Sequence, residues 1–365
     1  MALQKIPGRA IELDLQENSD VMYHDGTNWV RLGKGVAGEV LSVNEAGTLP
    51  TWGTSFQFQG DYHGYSIGGN TNIGPGNIAY DVIERNSYTT DTNSVDVGDL
   101  VFARVGCTPS WKSMTHGYTA GGTNNQPPAT YYNQIEKFQF ATSANAVDTA
   151  DLTQTWVYAG GHSSSLNCYA SGSGPGTRTD TINKFVKSTE VNATDIANLT
   201  IAKGGPFSNS SAEHGYSVGG TDSDGPVPAA EINVIERFSF TTDSDGVDVG
   251  DLNTATWAGA SGSSLTHGYI AGGYGHATLT SGRIEKYSFA ASANATQIGT
   301  LTIARGNELL GGTSSTTHGY AAGGLDSAPS NISDVIDKYS FVTDGNATDV
   351  GNLTVPKTNV AGTQN

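Results

Sequence analysis

Six times along the chain a short run of apolar and small residues ends in a Gly-Gly or, once, a Gly-Ser pair, and each run opens on a polar residue. The copies read His63-Gly64-Tyr65-Ser66-Ile67-Gly68-Gly69, His116-Gly117-Tyr118-Thr119-Ala120-Gly121-Gly122, and a divergent Asn167-Cys168-Tyr169-Ala170-Ser171-Gly172-Ser173. They continue as His214-Gly215-Tyr216-Ser217-Val218-Gly219-Gly220, His267-Gly268-Tyr269-Ile270-Ala271-Gly272-Gly273 and His318-Gly319-Tyr320-Ala321-Ala322-Gly323-Gly324. Spacings of 53, 51, 47, 53 and 51 residues separate them. A second phrase follows each copy: Ile83-Glu84-Arg85, Ile135-Glu136-Lys137-Phe138, Ile182-Asn183-Lys184-Phe185, Ile235-Glu236-Arg237-Phe238, Ile284-Glu285-Lys286-Tyr287 and Ile336-Asp337-Lys338-Tyr339. Its two-residue alternation is imperfect, as expected of strands covered on both faces.

A third element centres on a leucine, Leu100, Leu152, Leu199, Leu252, Leu301 or Leu353, usually behind a Val-Gly-Asp turn. A fourth short stretch, such as 258–266 or 309–317, leads back to the next His-Gly-Tyr. Four strands per unit of about fifty residues predict a blade, and six units predict an all-β, six-bladed β-propeller over residues 54–365. The glycine pairs are expected where strands crowd the axis and turn sharply with positive φ. The tyrosines Tyr65, Tyr118, Tyr169, Tyr216, Tyr269 and Tyr320 are expected to pack between neighbouring blades. Two segments compete to close the ring: the tail 355–363, as a missing strand of the first blade, or 54–59.

The glycine pairs and the Ile-Glu-Lys-Tyr phrase resemble the kelch family of β-propellers over about 310 residues. The family's later tryptophan is replaced here by the leucines above, which makes this a divergent, kelch-like version. Kelch propellers include binding modules, scaffolds and a few copper oxidases, so the resemblance implies fold far more than function.

Residues 1–53 do not repeat. Asp20 to Leu32 reads as a two-stranded hairpin around Asp25-Gly26, a third strand starts at 39–44, and 46–53 leads into the ring. Tyr23, Asp25, Gly26, Trp29 and Leu32, then Gly38, Val40, Leu41 and Val43, then Pro50, Trp52 and Gly53 resemble a segment of tailed-bacteriophage fibre and appendage proteins. That resemblance implies an attachment or oligomerisation segment in which Tyr23, Trp29 and Trp52 contact other virion proteins or further copies of the chain in a homo-oligomer. A flap packed on the propeller is the alternative.

Composition narrows the partners. Asp and Glu outnumber Lys and Arg 35 to 18, a formal charge of -17 that repels phosphate backbones and anionic bilayers. Nucleic acid and membrane insertion are therefore not expected. No apolar run approaches a membrane-spanning length, and the N-terminus lacks the apolar core of a signal peptide. Cys107 and Cys168 have no metal-ligand spacing and read as buried thiols.

His63, His116, His214, His267 and His318 share one repeat position, which suits a structural hydrogen bond better than metal ligation. The carboxylates Glu84, Glu136, Glu236, Glu285 and Asp337 recur beside a basic residue, which predicts blade-to-blade ion pairs or bonds to backbone amides. No unrepeated Ser-His-Asp or Cys-His set stands out, so no catalytic residue, cofactor or metal is assigned and no enzyme is expected. Two acidic turns, at 222–225 and 243–251, offer oxygen ligands without an EF-hand pattern, and turn geometry accounts for them. The variable loops between the first and second phrases should share one face, where Tyr80, Tyr131, Tyr132 and Tyr274 form a candidate ligand rim. The resulting expectation is a structural protein of a tailed-phage virion, exposed as a fibre, tail or capsid appendage. The alternative is a host receptor- or glycan-binding protein using that rim.

Overall fold

Strands of mostly four to six residues, cut apart by Gly-, Asn- and Asp-rich turns, satisfy their backbone only by pairing side by side. The computed structural model describes residues 20–34, 40–43, 50–53, 56–71, 78–173, 177–222, 231–275, 279–306, 309–326 and 331–365. The chain divides into two compact units, Met1–Phe56 and Gln57–Asn365.

The larger unit holds six antiparallel sheets of four strands. From the inside outward, blade 1 comprises Ala361–Gln364, His63–Ile67, Val82–Ser87 and Val95–Asp99. Blade 2 comprises Thr108–Lys112, His116–Ala120, Gln134–Gln139 and Val147–Asp151, and blade 3 Gly160–Ser163, Asn167–Ser171, Thr179–Val186 and Thr194–Lys203. Blade 4 follows with Phe207–Ser210, His214–Val218, Val234–Ser239 and Val247–Asp251. Blade 5 contains Ala260–Ser263, His267–Ala271, Arg283–Ser288 and Thr296–Thr300, and blade 6 Gly311–Ser314, His318–Ala322, Val335–Ser340 and Thr348–Asn352. The innermost strands touch in a closed cycle from blade 1 through blade 6 and back, so the unit is a six-bladed β-propeller.

The tail settles closure. Ala361–Gln364 pairs with His63–Ile67, Ala361 opposite Ile67 and Gln364 opposite Gly64, so the chain's end supplies blade 1 with its innermost strand. The competing segment does something else. Gly60 donates to the Ser314 carbonyl, Gln59 Nε2 to Ser263 O, and Phe58 O accepts from Gln364 Nε2, so Phe58–Gly60 bridges blades 1, 5 and 6 at one end of the axis.

Two expectations about local structure are corrected. The Gly-Gly strand is second from the axis, not innermost. The crowding at the centre falls on glycines of the innermost strands: a Cβ on Gly161 would collide with the Pro109 carbonyl, and one on Gly362 with the Gly312 carbonyl. The glycine pairs answer a different crowding. Gly68 and Gly69 take φ of +63° and +99°, and a Cβ on Gly68 would stand 2.6 Å from the Arg104 carbonyl, in the crossover to the next blade. Likewise the Val-Asp-Val-Gly-Asp read as a turn is itself the outermost strand, Val95–Asp99 or Val247–Asp251, and the buried leucine caps its end.

Packing between blades is aromatic. Tyr65 lies 5.4 Å from Phe138 and 5.1 Å from Phe140 of blade 2, and Tyr169, Tyr216 and Tyr269 meet Phe238, Tyr287 and Tyr339 of their next blades in the same way. Tyr118 meets Phe185, and Tyr320 stacks on Tyr88 at 4.5 Å to carry the pattern across the closure. Each buried ring removes a large apolar area from water.

In the smaller unit, Val21–His24 pairs with Trp29–Leu32 around Asp25, whose Oδ1 accepts from the amides of Thr27 and Asn28. Gly26 takes φ +101°. Val40–Val43 pairs with Pro50–Gly53, so 50–53 forms a strand where the sequence reading has a lead-in, with Trp52 opposite Leu41. Trp29 stands half-exposed at 49% and edge-on to His24.

Candidate functional site

Antiparallel order sends the loops between second and third strands, and the crossovers between blades, to one face of the ring. The hairpins between first and second and between third and outermost strands lie on the opposite face. Both faces draw on the repeated polar residues, and most of those residues fasten blades together.

The acidic position of the third strand is fully buried. Glu84, Glu136, Glu236, Glu285 and Asp337 each accept a backbone amide from the preceding blade's crossover: Thr354, Val101, Thr200, Asn253 and Thr302, at 2.7–3.2 Å. Asn183 does the same for Thr153 in blade 3. Their ionic partners are not the sequence neighbours but residues four positions after the repeated leucine, at or beyond the end of the outermost strand. Arg104 pairs with Glu136, Lys203 with Glu236 at 2.9 Å, Arg305 with Asp337 at 2.6 Å and Lys357 with Glu84 at 2.8 Å, all with 0% side-chain exposure. Sequence reasoning missed these cations. Their signal was the fixed leucine-plus-four spacing, which also places Trp156 opposite uncharged Asn183 and Thr256 opposite Glu285. Glu285 thus lacks a buried cation; Asn253 donates to it twice, Arg283 Nε stands 3.7 Å away, and burial pushes its carboxyl pKa up.

The histidines stay in separate blades, each opening a second strand. His116, His267 and His318 bond through Nδ1 to the preceding threonine at 2.8 Å, and His63 Nδ1 lies 3.2 Å from Asn365 Oδ1. Burial lowers the pKa of His63, His214, His267 and His318, so these rings are neutral near pH 7. Among the described residues no three His, Cys, Asp or Glu side chains gather as a metal site. Of the acidic turns, Asp243 pairs with Lys184 and Asp245 accepts the Asn198 amide; residues 223–230 lie outside the described residues. Cys107 and Cys168 are buried free thiols whose pKa burial raises. The repeat tyrosines Tyr169, Tyr216 and Tyr269 donate to Phe240, Phe289 and Phe341 carbonyls of the following blade, and burial keeps their phenols protonated.

The loop face divides the four rim tyrosines. Tyr80 bonds Thr71 Oγ1, and Tyr274 exchanges backbone bonds with Trp257, so both pin loop bases. Tyr132 stacks on Phe102 at 5.3 Å with the Arg104 guanidinium 5.2 Å from its centroid. Tyr131 is exposed at 42%, and Phe102 is half-exposed. A stacked aromatic pair, Phe102 on Tyr132, therefore lies where blades 1 and 2 meet. At the centre of the ring, Pro109, Ala159, Ser208, Ser261, Leu310 and Val360, one from each blade, line a narrow opening of about 320 Å³ including its mouth. Ser208 Oγ is buried there without a hydrogen-bond partner among the described residues.

No described protein family matches the chain, and no curated protein does. Among solved structures the chain is similar to YjhT, at 11% identity and a TM-score of 0.58, over 78% of this chain and 97% of that one. At that identity the likeness concerns the fold: this chain shares the path of a β-propeller with YjhT.

Proposed function

We propose that the chain is a non-enzymatic structural protein of a tailed-phage virion, a divergent kelch-like propeller joined to an N-terminal attachment segment and exposed on the particle as a fibre, tail or capsid appendage. The observation that carries this reading is the division at Phe56. The smaller unit is too short to bury a core alone, and it presents Trp29 half-exposed within the hairpin that resembles phage appendage segments. A large aromatic left open on a short hairpin gains its burial from another surface, here another virion protein or another copy of the chain. In the propeller, the repeated charged and aromatic residues serve blade-to-blade fastening, which suits a rigid, durable module. Immunogold electron microscopy with antibodies to residues 57–365 tests the reading: label on purified particles supports it, and unlabelled particles from cells that make the protein refute it.

A second reading, host recognition through the loop face, is favoured by the stacked Phe102–Tyr132 pair and by exposed Tyr131, whose flat rings suit sugar or protein contact. Binding to a glycan array that disappears in a Phe102→Ser/Tyr131→Ser variant would support it. An array with no bound glycan, or binding untouched by the substitutions, would remove it.

A further inference from the structure

The face opposite the variable loops carries a second ring of ion pairs, and that ring is interrupted twice. Lys137 reaches Glu190 at 2.6 Å, Lys184 reaches Asp243 at 2.7 Å, Lys286 reaches Asp344 at 2.6 Å and Lys338 reaches Asp91 at 2.8 Å. In every case the lysine leaves the third strand of one blade and the acid sits on the outer hairpin of the next. Between blades 1 and 2, and between blades 4 and 5, both members change together. The cation becomes Arg85 or Arg237, and the hairpin position of the acid becomes Ser143 or Ser292.

The double exchange follows a longer period. His63 and His214, His116 and His267, and Asn167 and His318 are each 151 residues apart, so blades 1 to 3 and 4 to 6 are two copies of one three-blade unit. The interrupted positions are equivalent in the two copies and fall on opposite sides of the ring.

Among the described residues neither arginine has a carboxylate within ion-pair distance, although the chain carries a formal charge of -17. Arg85 stands opposite Tyr65 in strand register and Arg237 opposite Tyr216, and each guanidinium's charge opposes the rise that burial gives the facing phenol's pKa. His63 and His214 complete each group, and the adjacent guanidinium adds to the burial that lowers their pKa. In blades 5 and 6 the corresponding His267 and His318 feel Asp344 and Asp91. Both arginines are half-buried in the cleft between blades, so water screens them incompletely.

We propose that Arg85 with Tyr65, His63 and Ser143, and Arg237 with Tyr216, His214 and Ser292, are two binding sites for an external carboxylate, such as that of an acidic sugar. The external group takes the place that an acidic side chain of the next blade fills in the four sister clefts. A lysine suffices to hold a tethered carboxylate. A planar guanidinium fork orients a free one through two parallel hydrogen bonds, and the serine hydroxyl adds a donor without charge. The blade 1 site is the stronger, because Glu213 flanks the blade 4 site while Tyr62, 64% exposed, stands at the equivalent place in blade 1.

Sodium glucuronate titrated into the full chain, followed by the Nε–Hε resonances of arginine against sodium chloride of equal ionic strength, tests this. Saturable shifts of two arginines are expected, that of Arg85 at lower concentration. Arg85→Gln should weaken the tighter site about tenfold or more, the worth of a charge-assisted hydrogen bond. Ser143→Asp with Ser292→Asp supplies the absent carboxylates from within and should abolish saturation without unfolding the ring. No saturation beyond chloride, or glucuronate binding unchanged in the double aspartate variant, would overturn the proposal; an equal response to sulfate would overturn the assignment to carboxylates.

Discussion

Glu236 and Glu285 occupy the same position of adjacent blades 4 and 5, yet the same substitution to glutamine should act on them differently. Glu236 meets Lys203 at 2.9 Å with both side chains at 0% exposure, while the sequence position that would supply the cation for Glu285 is held by uncharged Thr256. Glu236→Gln leaves an ammonium buried without its counter-charge. Breaking such a pair from one side costs about 3–5 kcal/mol. Lys203 limits the loss by giving up its proton. Burial already lowers its pKa, opposed chiefly by Glu236, and neutralising a lysine of unfolded pKa about 10.4 costs about 4.6 kcal/mol at pH 7 and about 2 kcal/mol at pH 9. The sign follows: a base whose folded pKa is depressed withholds stability below its unfolded pKa, and the deficit shrinks as pH rises toward that value. Glu285 runs the other way, since a carboxyl raised by burial contributes stability below its unfolded pKa and loses it as pH climbs through the folded one. Glu285→Gln removes that burden, keeps an acceptor for the Asn253 amide, and should cost no more than about 1 kcal/mol. Urea unfolding at pH 7 and pH 9 measures both variants. Equal losses at the two sites, or a Glu236→Gln loss that does not shrink at pH 9, would refute the assignment of the cost to a stranded cation.

Lys203→Met combined with Glu236→Leu should recover most of the stability lost by Glu236→Gln, read by the same unfolding curves, because no charge is left buried. Deleting 361–365 strips blade 1 of its innermost strand, along with the bond from Thr363 Oγ1 to the Trp111 carbonyl, and should give an unfolded or self-associating chain by circular dichroism and size-exclusion chromatography. His162, fully buried between Asn209 O and Ser171 Oγ, has its pKa lowered to about 4 by burial. Its contribution is complete above about pH 6.5 and falls as pH drops toward 4, by about 3 kcal/mol; a His162→Gln variant should flatten the thermal midpoint over that range. Gly161→Ala should destabilise by more than the usual cost of a surface change, about 1–3 kcal/mol for an overpacked site, because its Cβ meets the Pro109 carbonyl of the neighbouring blade.

Blade number, strands per blade and the tyrosine wedge were readable along the chain because they repeat, and a repeat exposes any residue whose role is the same six times. Tyr216 and its five counterparts need the same neighbour in every blade, so their spacing alone reveals them. The alternation of buried and half-buried positions in Val234–Ser239 follows from strand geometry and is equally local. Other features depend on which segments meet after the chain has turned fully around the axis. Ring closure by Ala361–Gln364 joins residues about 300 positions apart, and two segments of similar pattern competed for that place. The partner of Glu236 proved to be Lys203 at the end of blade 3's outermost strand, not Arg237 beside it, because adjacent residues on a strand point to opposite faces. The glycine pairs were visible in the sequence, but the carbonyl that crowds them was not, since Arg104 approaches Gly68 only once the crossover has folded back over the blade. Periodicity speaks for interactions every unit makes alike, while departures from it, at Thr256, Ser143 and Ser292, acquire physical meaning only when the facing blade shows what stands across the gap.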